Sequence, residues 1–111
     1  MTQSLVAGLE PPYYTAVFTS IRPDDPEGYA ETSTRMQEIV QGIPGFLGYE
    51  SARTPGGIGI TVAYFRDLDS LTVWQHNTEH QAAKRYGRAH WYEKYSVHIG
   101  KVERSYSFER A

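Results

Sequence analysis

Two side chains with titratable nitrogen atoms, His80 and Lys84, lie four positions apart in a segment with helical periodicity. Residues at this spacing share one face of an α-helix. The small Ala83 beside them leaves space rather than filling it. An imidazole or an amine at the rim of a dry cavity can take a proton from a substrate or stabilise an oxyanion. We therefore predict His80 and Lys84 as catalytic candidates.

Aromatic side chains are the second group that could serve a binding site. The sequence has 9 Tyr, 4 Phe and 2 Trp, and such rings combine a large apolar surface with polar atoms at the Tyr and Trp edges. A pocket walled by them suits a flat apolar molecule such as a polycyclic phenol or a porphyrin. The residues predicted to bind substrate are Trp74, Tyr14, Phe18, Phe65, Tyr86 and Trp91. The alternative for each ring is ordinary packing in the core.

No metal site is predicted. His76 and His80 have an H-x-x-x-H spacing, but no glutamate follows the first histidine as the H-E-x-x-H motif requires, and Asn77-Thr78 is expected to break the helix between them. The sequence has no cysteine, which excludes thiolate ligands, thiolate catalysis and disulfides. The glycines of residues 56–59 lie in a hairpin turn, so they do not form a dinucleotide-binding loop.

Four segments rich in β-branched and aromatic residues predict strands, which must form the floor under these side chains. Thr54–Gly57 suits a tight turn between the second and third strands, because Pro pre-sets φ and Gly allows a positive φ. A helical stripe precedes the second strand, and Gly42, Pro44 and Gly45 end it. The predicted strands are Tyr13–Ile21, Phe46–Arg53, Ile58–Arg66 and Tyr95–Phe108, and the predicted helix is Glu27–Gln41.

The region between the third and last strands predicts a helical unit that carries the catalytic candidates. Asp67 or Asp69 can cap a short helix that ends near His76. Its inward residues are predicted to be Leu68, Leu71 and Trp74.

A second part of this helical unit is predicted to begin at Thr78, which with Gln81 resembles a capping box. This part is expected to run to Tyr86 and to end at Gly87. A further short helical piece is predicted over residues 88–94.

The resulting order β-α-β-β-α-β predicts a ferredoxin-like α+β fold, with a four-stranded antiparallel sheet and the helices on one face. It forms a single domain over residues 13–111, preceded by a flexible N-terminal arm at residues 1–12. Both sheet faces are apolar: Val17 and Ile21 point to one side of the first strand, and Ala16 and Phe18 to the other. Since helices cover one face only, we predict a homodimer through the sheet faces.

Charge and hydropathy exclude two classes of partner. The net charge is −2 and no run of Lys or Arg exceeds two residues, whereas nucleic-acid binding needs a clustered basic face. No segment approaches the length of a membrane span, and residues 1–9 do not have the features of a signal peptide. We therefore predict no nucleic-acid partner, no membrane association and a cytoplasmic location.

Four stretches of the sequence resemble the antibiotic-biosynthesis-monooxygenase superfamily. The most specific are PGFLGYESAR at Pro44–Arg53 and LTVWQHNTEHQAAKRYGRAHWY at Leu71–Tyr92. The other two are PYYTAVFTS at Pro12–Ser20 and GIGITVAYF at Gly57–Phe65. The resemblance implies a dimeric α+β barrel, in which two sheets pack face to face and each subunit has a cleft between its sheet and helices.

The same resemblance implies an activity, with two branches to choose between. The superfamily includes oxygenases that oxidise aromatic polyketides without a prosthetic group, and enzymes that degrade heme. We expect a small monooxygenase that oxidises an aromatic or polycyclic substrate with O₂ and has no tightly bound cofactor. The alternatives are a heme-degrading monooxygenase and a dimeric module that binds a small ligand, or responds to stress, without turnover.

Three positions bear on the heme alternative. In the heme-degrading branch a Trp lines the cavity, and Trp74 matches it. That branch has a histidine on iron about ten residues later, where this sequence has Lys84, and an Asn on the first strand, which is absent here. A protonated lysine is a poor iron ligand, but His80, one helical turn earlier, could substitute for it.

Overall fold

The computed structural model describes residues 5–111 and shows seven elements in the order β1-α1-β2-β3-α2-α3-β4. The α+β order predicted from the sequence is confirmed, with the second helical unit divided into α2 and α3. No helix in this described part is long and apolar enough to cross a membrane. The elements are β1 Tyr13–Ile21, α1 Tyr29–Gln41, β2 Phe46–Arg53, β3 Ile58–Phe65, α2 Leu68–His76, α3 Thr78–His90 and β4 Lys94–Val102.

The four strands form one antiparallel sheet in the order β2-β3-β1-β4, which is the ferredoxin-like arrangement. Tyr14 of β1 lies opposite Phe65 of β3, so both side chains lie on the same side of the sheet. The helices cover this side, where Phe65 is 0% exposed and packs with Leu71 and Val40. We call it the helix face, and the other side the open face.

The described part of the predicted N-terminal arm, residues 5–12, contacts the sheet at two places. The Val6 backbone N–H donates to Glu50 Oε2 at 2.9 Å. The Arg66 guanidinium donates to the Glu10 carbonyl at 2.8 Å. Residues 1–4 of the arm lie outside the described residues.

Of the two predicted capping residues, Asp67 and Asp69, it is Asp67 that caps α2. Its side chain accepts a hydrogen bond from the Ser70 N–H at 2.8 Å. The inward position predicted for Leu68 is wrong, since its side chain is 48% exposed. Leu68 is the first residue of α2, where the chain has only just turned away from the end of β3. Leu71, one turn later, is the residue that reaches the core.

The predicted start and end of the next helix are both displaced. Asn77, not Thr78, caps α3, because its side-chain oxygen accepts from the His80 N–H at 2.9 Å. Gly87 does not end the helix, which continues to His90. This glycine is instead required by packing, because a Cβ there would lie 2.6 Å from a carbon of the Tyr92 ring.

The last strand is shorter than predicted, since β4 ends at Val102. Val102 pairs with Tyr13, the first residue of β1. Before Tyr13 come Pro11 and Pro12, which have no N–H to donate to a longer ladder. Residues 103–111 therefore continue without strand pairing, and Tyr106 is 99% exposed.

Candidate active site

A cavity of about 300 Å³ lies between the helix face of the sheet and the three helices. This volume is at the lower end of the range for small-molecule sites. The cavity was expected under the helical unit that begins after β3, and that unit does form one of its walls. Five of the predicted site residues line it: Phe18, Trp74, His80, Lys84 and Trp91.

The other three predicted site residues do not line this cavity. Phe65 is fully buried against Phe46, with ring centroids 5.6 Å apart, so it is part of the core. Tyr14 packs against the same core cluster. Tyr86 is 51% exposed, because it lies on the outer side of α3 and packs against His90. The binding role predicted for these three residues therefore has no support in the geometry.

His80 is held against Trp74 by two contacts. Its imidazole stacks on the indole, with centroids 3.9 Å apart and an interplanar angle of 11°. Its Nδ1 atom lies 2.9 Å from the Trp74 carbonyl oxygen. A carbonyl only accepts, so Nδ1 must carry the proton in this contact. In the neutral ring, Nε2 then has a free lone pair that can accept a proton.

The environment of His80 favours this neutral form. Burial is the largest effect and lowers the pKa of His80, because the charged ring loses solvation. The contact with the Trp74 carbonyl raises the pKa, and the nearby positive charge of Lys84 lowers it again, with a net lowering. Near neutral pH the side chain is therefore a neutral imidazole in the wall of the cavity.

The opposite end of the cavity is formed by tyrosines that the sequence did not identify as site residues. Tyr29, Tyr92 and Tyr95 line it together with Phe18. Tyr92 contacts Phe18 edge-on, with centroids 5.6 Å apart. Burial, and then the neighbouring Tyr29, raise the pKa of Tyr92, so its hydroxyl stays protonated. The W-Y pair at 91–92 was a signal in the sequence, but only Trp91 was taken as a site residue.

The described residues show little that would hold a metal or a heme. Within residues 5–111, no three His, Cys, Asp or Glu side chains are grouped so that they could bind a metal ion. Among residues 5–111, His80 is the one histidine in the cavity wall, and the lone pair on its Nε2 is of the type that binds iron. A tetrapyrrole, however, is larger than a cavity of about 300 Å³. The residues present do not fit a heme in this conformation.

Comparisons with known proteins agree with this fold. The family model for antibiotic biosynthesis monooxygenases matches residues 12–86. The uncharacterized protein YqjZ of Bacillus subtilis (strain 168) is 48% identical over 100 residues, which cover 90% of this chain and 88% of that protein.

Solved structures show the same fold at low sequence identity. A variant of SnoaB, a cofactor-independent oxygenase from Streptomyces nogalater, superposes with a TM-score of 0.66 at 14% identity, covering 88% of this chain and 98% of SnoaB. Rv0793 from Mycobacterium tuberculosis superposes with a TM-score of 0.71 at 10% identity, covering 86% of this chain and 99% of that one. Because the family model covers most of the chain, the chain belongs to the antibiotic biosynthesis monooxygenase family.

Proposed function

We propose that this protein is a small monooxygenase that oxidises an aromatic or polycyclic substrate with O₂ and needs no tightly bound cofactor. The observation that carries the proposal is the neutral His80 imidazole in the wall of an aromatic cavity, with Nδ1 on the Trp74 carbonyl and Nε2 free. The similarity of the fold to SnoaB, a cofactor-independent oxygenase, supports it.

The chemistry requires a base, an oxyanion partner and a dry pocket. Nε2 of His80 takes a proton from an activated C–H of a phenolic substrate such as an anthrone, leaving a carbanion whose charge is spread onto oxygen. This electron-rich anion donates an electron to O₂, and the two radicals combine to a peroxide anion. The protonated His80 returns its proton to this anion and forms the hydroperoxide. Loss of water then leaves a carbonyl, so a CH₂ group gains one oxygen atom and both of its hydrogens leave in the water. No external reductant is needed.

Oxygen uptake tests this proposal directly. We expect uptake with an anthrone or quinol panel, and a fall in kcat of about 10²-fold or more in His80→Gln, which is the usual size of a general-base effect. Lys84→Met is the matched variant, because Lys84 lines the same cavity but has an amine instead of an imidazole. It should lower kcat less than His80→Gln does.

Three results would count against the proposal. Saturable binding of the anthrones without oxygen uptake would indicate a ligand-binding module. A Soret shift on adding hemin that His80→Ala abolishes would indicate heme chemistry. Equal rates for the unsubstituted protein and His80→Gln would remove the base from the mechanism.

We also propose that two copies associate through the open faces of their sheets. Ile58 and Ile60 on β3 are 47% and 44% exposed, although both are large apolar residues. Val17 lies opposite Val62 on the same side of the sheet. The open face thus has an apolar row that no element of residues 5–111 fully covers. A second copy related by a two-fold axis would bury both rows.

A further inference from the structure

Arg53 lies on the helix face at one end of the sheet, and no acidic side chain of residues 5–111 pairs with it. Its guanidinium donates to Ser20 Oγ at 3.3 Å and to the backbone carbonyls of Arg22 at 3.3 Å and Gly57 at 2.9 Å. The side chain reaches β1 across Gly59, where a Cβ would collide with it. Its Nε is buried and has no hydrogen-bond partner within the described part of the chain.

Arg22 lies next to it in a similar state. Its guanidinium carbon is 3.7 Å from the centroid of the Tyr29 ring, and its Nε is also buried without a hydrogen-bond partner. Among residues 5–111, no carboxylate oxygen lies within 4.0 Å of Arg22 or Arg53. Arg35 shows the usual pairing of an arginine with a carboxylate, since it makes a bidentate contact with Glu79 through two hydrogen bonds of 3.0 Å.

These two positive charges lie behind the tyrosine wall of the cavity. Tyr29, which Arg22 covers, and Tyr92 both line the cavity, and their ring centroids are 6.3 Å apart. The charges of Arg22 and Arg53 both lower the pKa of the Tyr92 hydroxyl, against the larger raising effect of burial. A half-buried pair of cations without counter-ions costs solvation free energy, and an anion in the adjacent cavity would offset that cost.

We propose that the end of the cavity formed by Tyr29 and Tyr92, and backed by Arg22 and Arg53, binds an anionic oxygen of the ligand. The ligand is then an aromatic anion, either a carboxylate or an ionised phenol or enol. The phenol hydroxyls act as donors to this oxygen, and the guanidinium groups supply a fixed positive field in a region of low dielectric. This inference rests on the proposed function in using the same cavity for the ligand.

The anionic end and the base lie at different parts of the wall. His80 is on α3 beside Trp74 of α2, whereas the tyrosines come from α1 and the segment after α3. A planar ligand held by its oxygen at the tyrosines would present its remaining rings towards His80. Lys84 lines the cavity near His80 and is the competing cation, so the test must separate it from Arg53.

Calorimetric titration with two ligands of nearly equal shape makes this separation. We expect 1-naphthoate to bind about tenfold or more tightly than 1-naphthamide, since hydrogen bonds to a charged group exceed neutral ones by this order. Arg53→Met and Tyr92→Phe should each lower the affinity for naphthoate to near that for naphthamide. Arg104→Met, in the exposed C-terminal segment, should retain the preference, and Lys84→Met should reduce it less than Arg53→Met does.

Naphthamide affinity serves as the internal control for folding, because an intact cavity still binds the neutral ligand. An acidic naphthol, titrated above and below its own pKa, tells whether a phenolate is bound as well as a carboxylate. Equal affinities for the two naphthalene ligands in the unsubstituted protein, or no binding of either, would overturn the inference. So would loss of the preference in Lys84→Met but not in Arg53→Met. Oxygen uptake is read separately, so a naphthoate preference without turnover would reject the proposed oxygenase and leave this inference standing.

Discussion

At the scale of single residues, the protonation of His80 decides what the cavity can do. The imidazole is stacked on Trp74 and hydrogen-bonded through Nδ1, so the fold holds it as a neutral ring. A base of this kind works without a metal or a carboxylate partner, provided that the pH stays above its pKa. The charge of Lys84 helps to keep that pKa low.

This lowered pKa predicts a pH dependence of stability that needs no substrate. The unfolded chain has a His80 pKa of about 6.5, and the folded chain a lower one. Between these two pKa values the unfolded state binds more protons than the folded state. The free energy of unfolding therefore decreases as the pH falls. The contribution of neutral His80 to the free energy of unfolding is complete above about pH 6.5, and it is lost as the pH falls through the pKa of the folded state.

We therefore expect Tm to fall from pH 7.5 to pH 5 by more in the unsubstituted protein than in His80→Gln. His76→Gln is the control, since His76 is an exposed histidine at the end of α2, and it should retain the full slope. Thermal unfolding followed by circular dichroism measures all three. Parallel slopes for the unsubstituted protein and His80→Gln would show that burial does not control this group.

The sequence could predict the direction of these side chains but not their depth. Helical spacing placed His80 and Lys84, four positions apart on α3, on one face, and both line the cavity. Trp74 belongs to α2 and meets His80 across the break at Asn77. Tyr14 and Phe65 also point to the helix face, but Leu71 and Val40 fill the space above them. Whether a ring lines a void or packs in the core depends on neighbours from distant segments, which alternation within a strand does not reveal. The cluster of Arg53, Arg22 and Tyr92 was missed for the same reason.

At the scale of elements, the junction between α2 and α3 positions His80, the proposed base. Asn77 is the C-cap of α2 and the N-cap of α3, and its N–H donates to the Trp74 carbonyl at 3.2 Å. The same carbonyl contacts the imidazole of His80, whose backbone N–H donates to the Asn77 side chain. One break in the helical unit thus fixes both the indole and the imidazole.

Asn77→Ala should therefore destabilise the protein by about 1 kcal/mol, the usual cost of removing an N-cap side chain. Thr78→Ala is the matched control, since Thr78 is the first residue of α3 but not its cap. Its substitution should change the free energy of unfolding by less than about 0.5 kcal/mol. Urea denaturation at constant m-value measures both. A larger effect in Thr78→Ala would mean that the hydroxyl, and not the amide, caps the helix in solution.

Element boundaries were predictable where local signals and packing agree. The Pro-Gly turn ended β2 and began β3 at the residues expected, because two strands of matched length meet there. Gly87 misled the prediction, since a glycine that signals a helix end locally is used here to admit the Tyr92 ring. The end of β4 was set by the prolines before β1, which is a long-range effect of pairing.

At the scale of the whole molecule, the sheet separates the cavity from the proposed dimer interface. Its helix face holds the core and the cavity, whereas its open face carries an apolar row that no element of residues 5–111 fully covers. The alternation of β1 and β3 already predicted that both faces would be apolar, because successive side chains of a strand point to opposite sides. The alternation does not reveal which surface covers the open face. The proposed dimer supplies one by symmetry.

Substitution of one residue on the open face tests this assembly. Ile60 is 44% exposed on β3, and Val73 is 52% exposed on α2, on the side of the sheet away from the open face. Ile60→Lys would place two like charges in a desolvated two-fold interface, which should dissociate the dimer. Val73→Lys adds the same charge at similar exposure and should leave the dimer intact. Sedimentation equilibrium at micromolar concentration distinguishes the two states, with circular dichroism to show that both variants fold. If the unsubstituted protein is a monomer at every concentration, or if both lysine variants remain dimers, association through the open face is wrong.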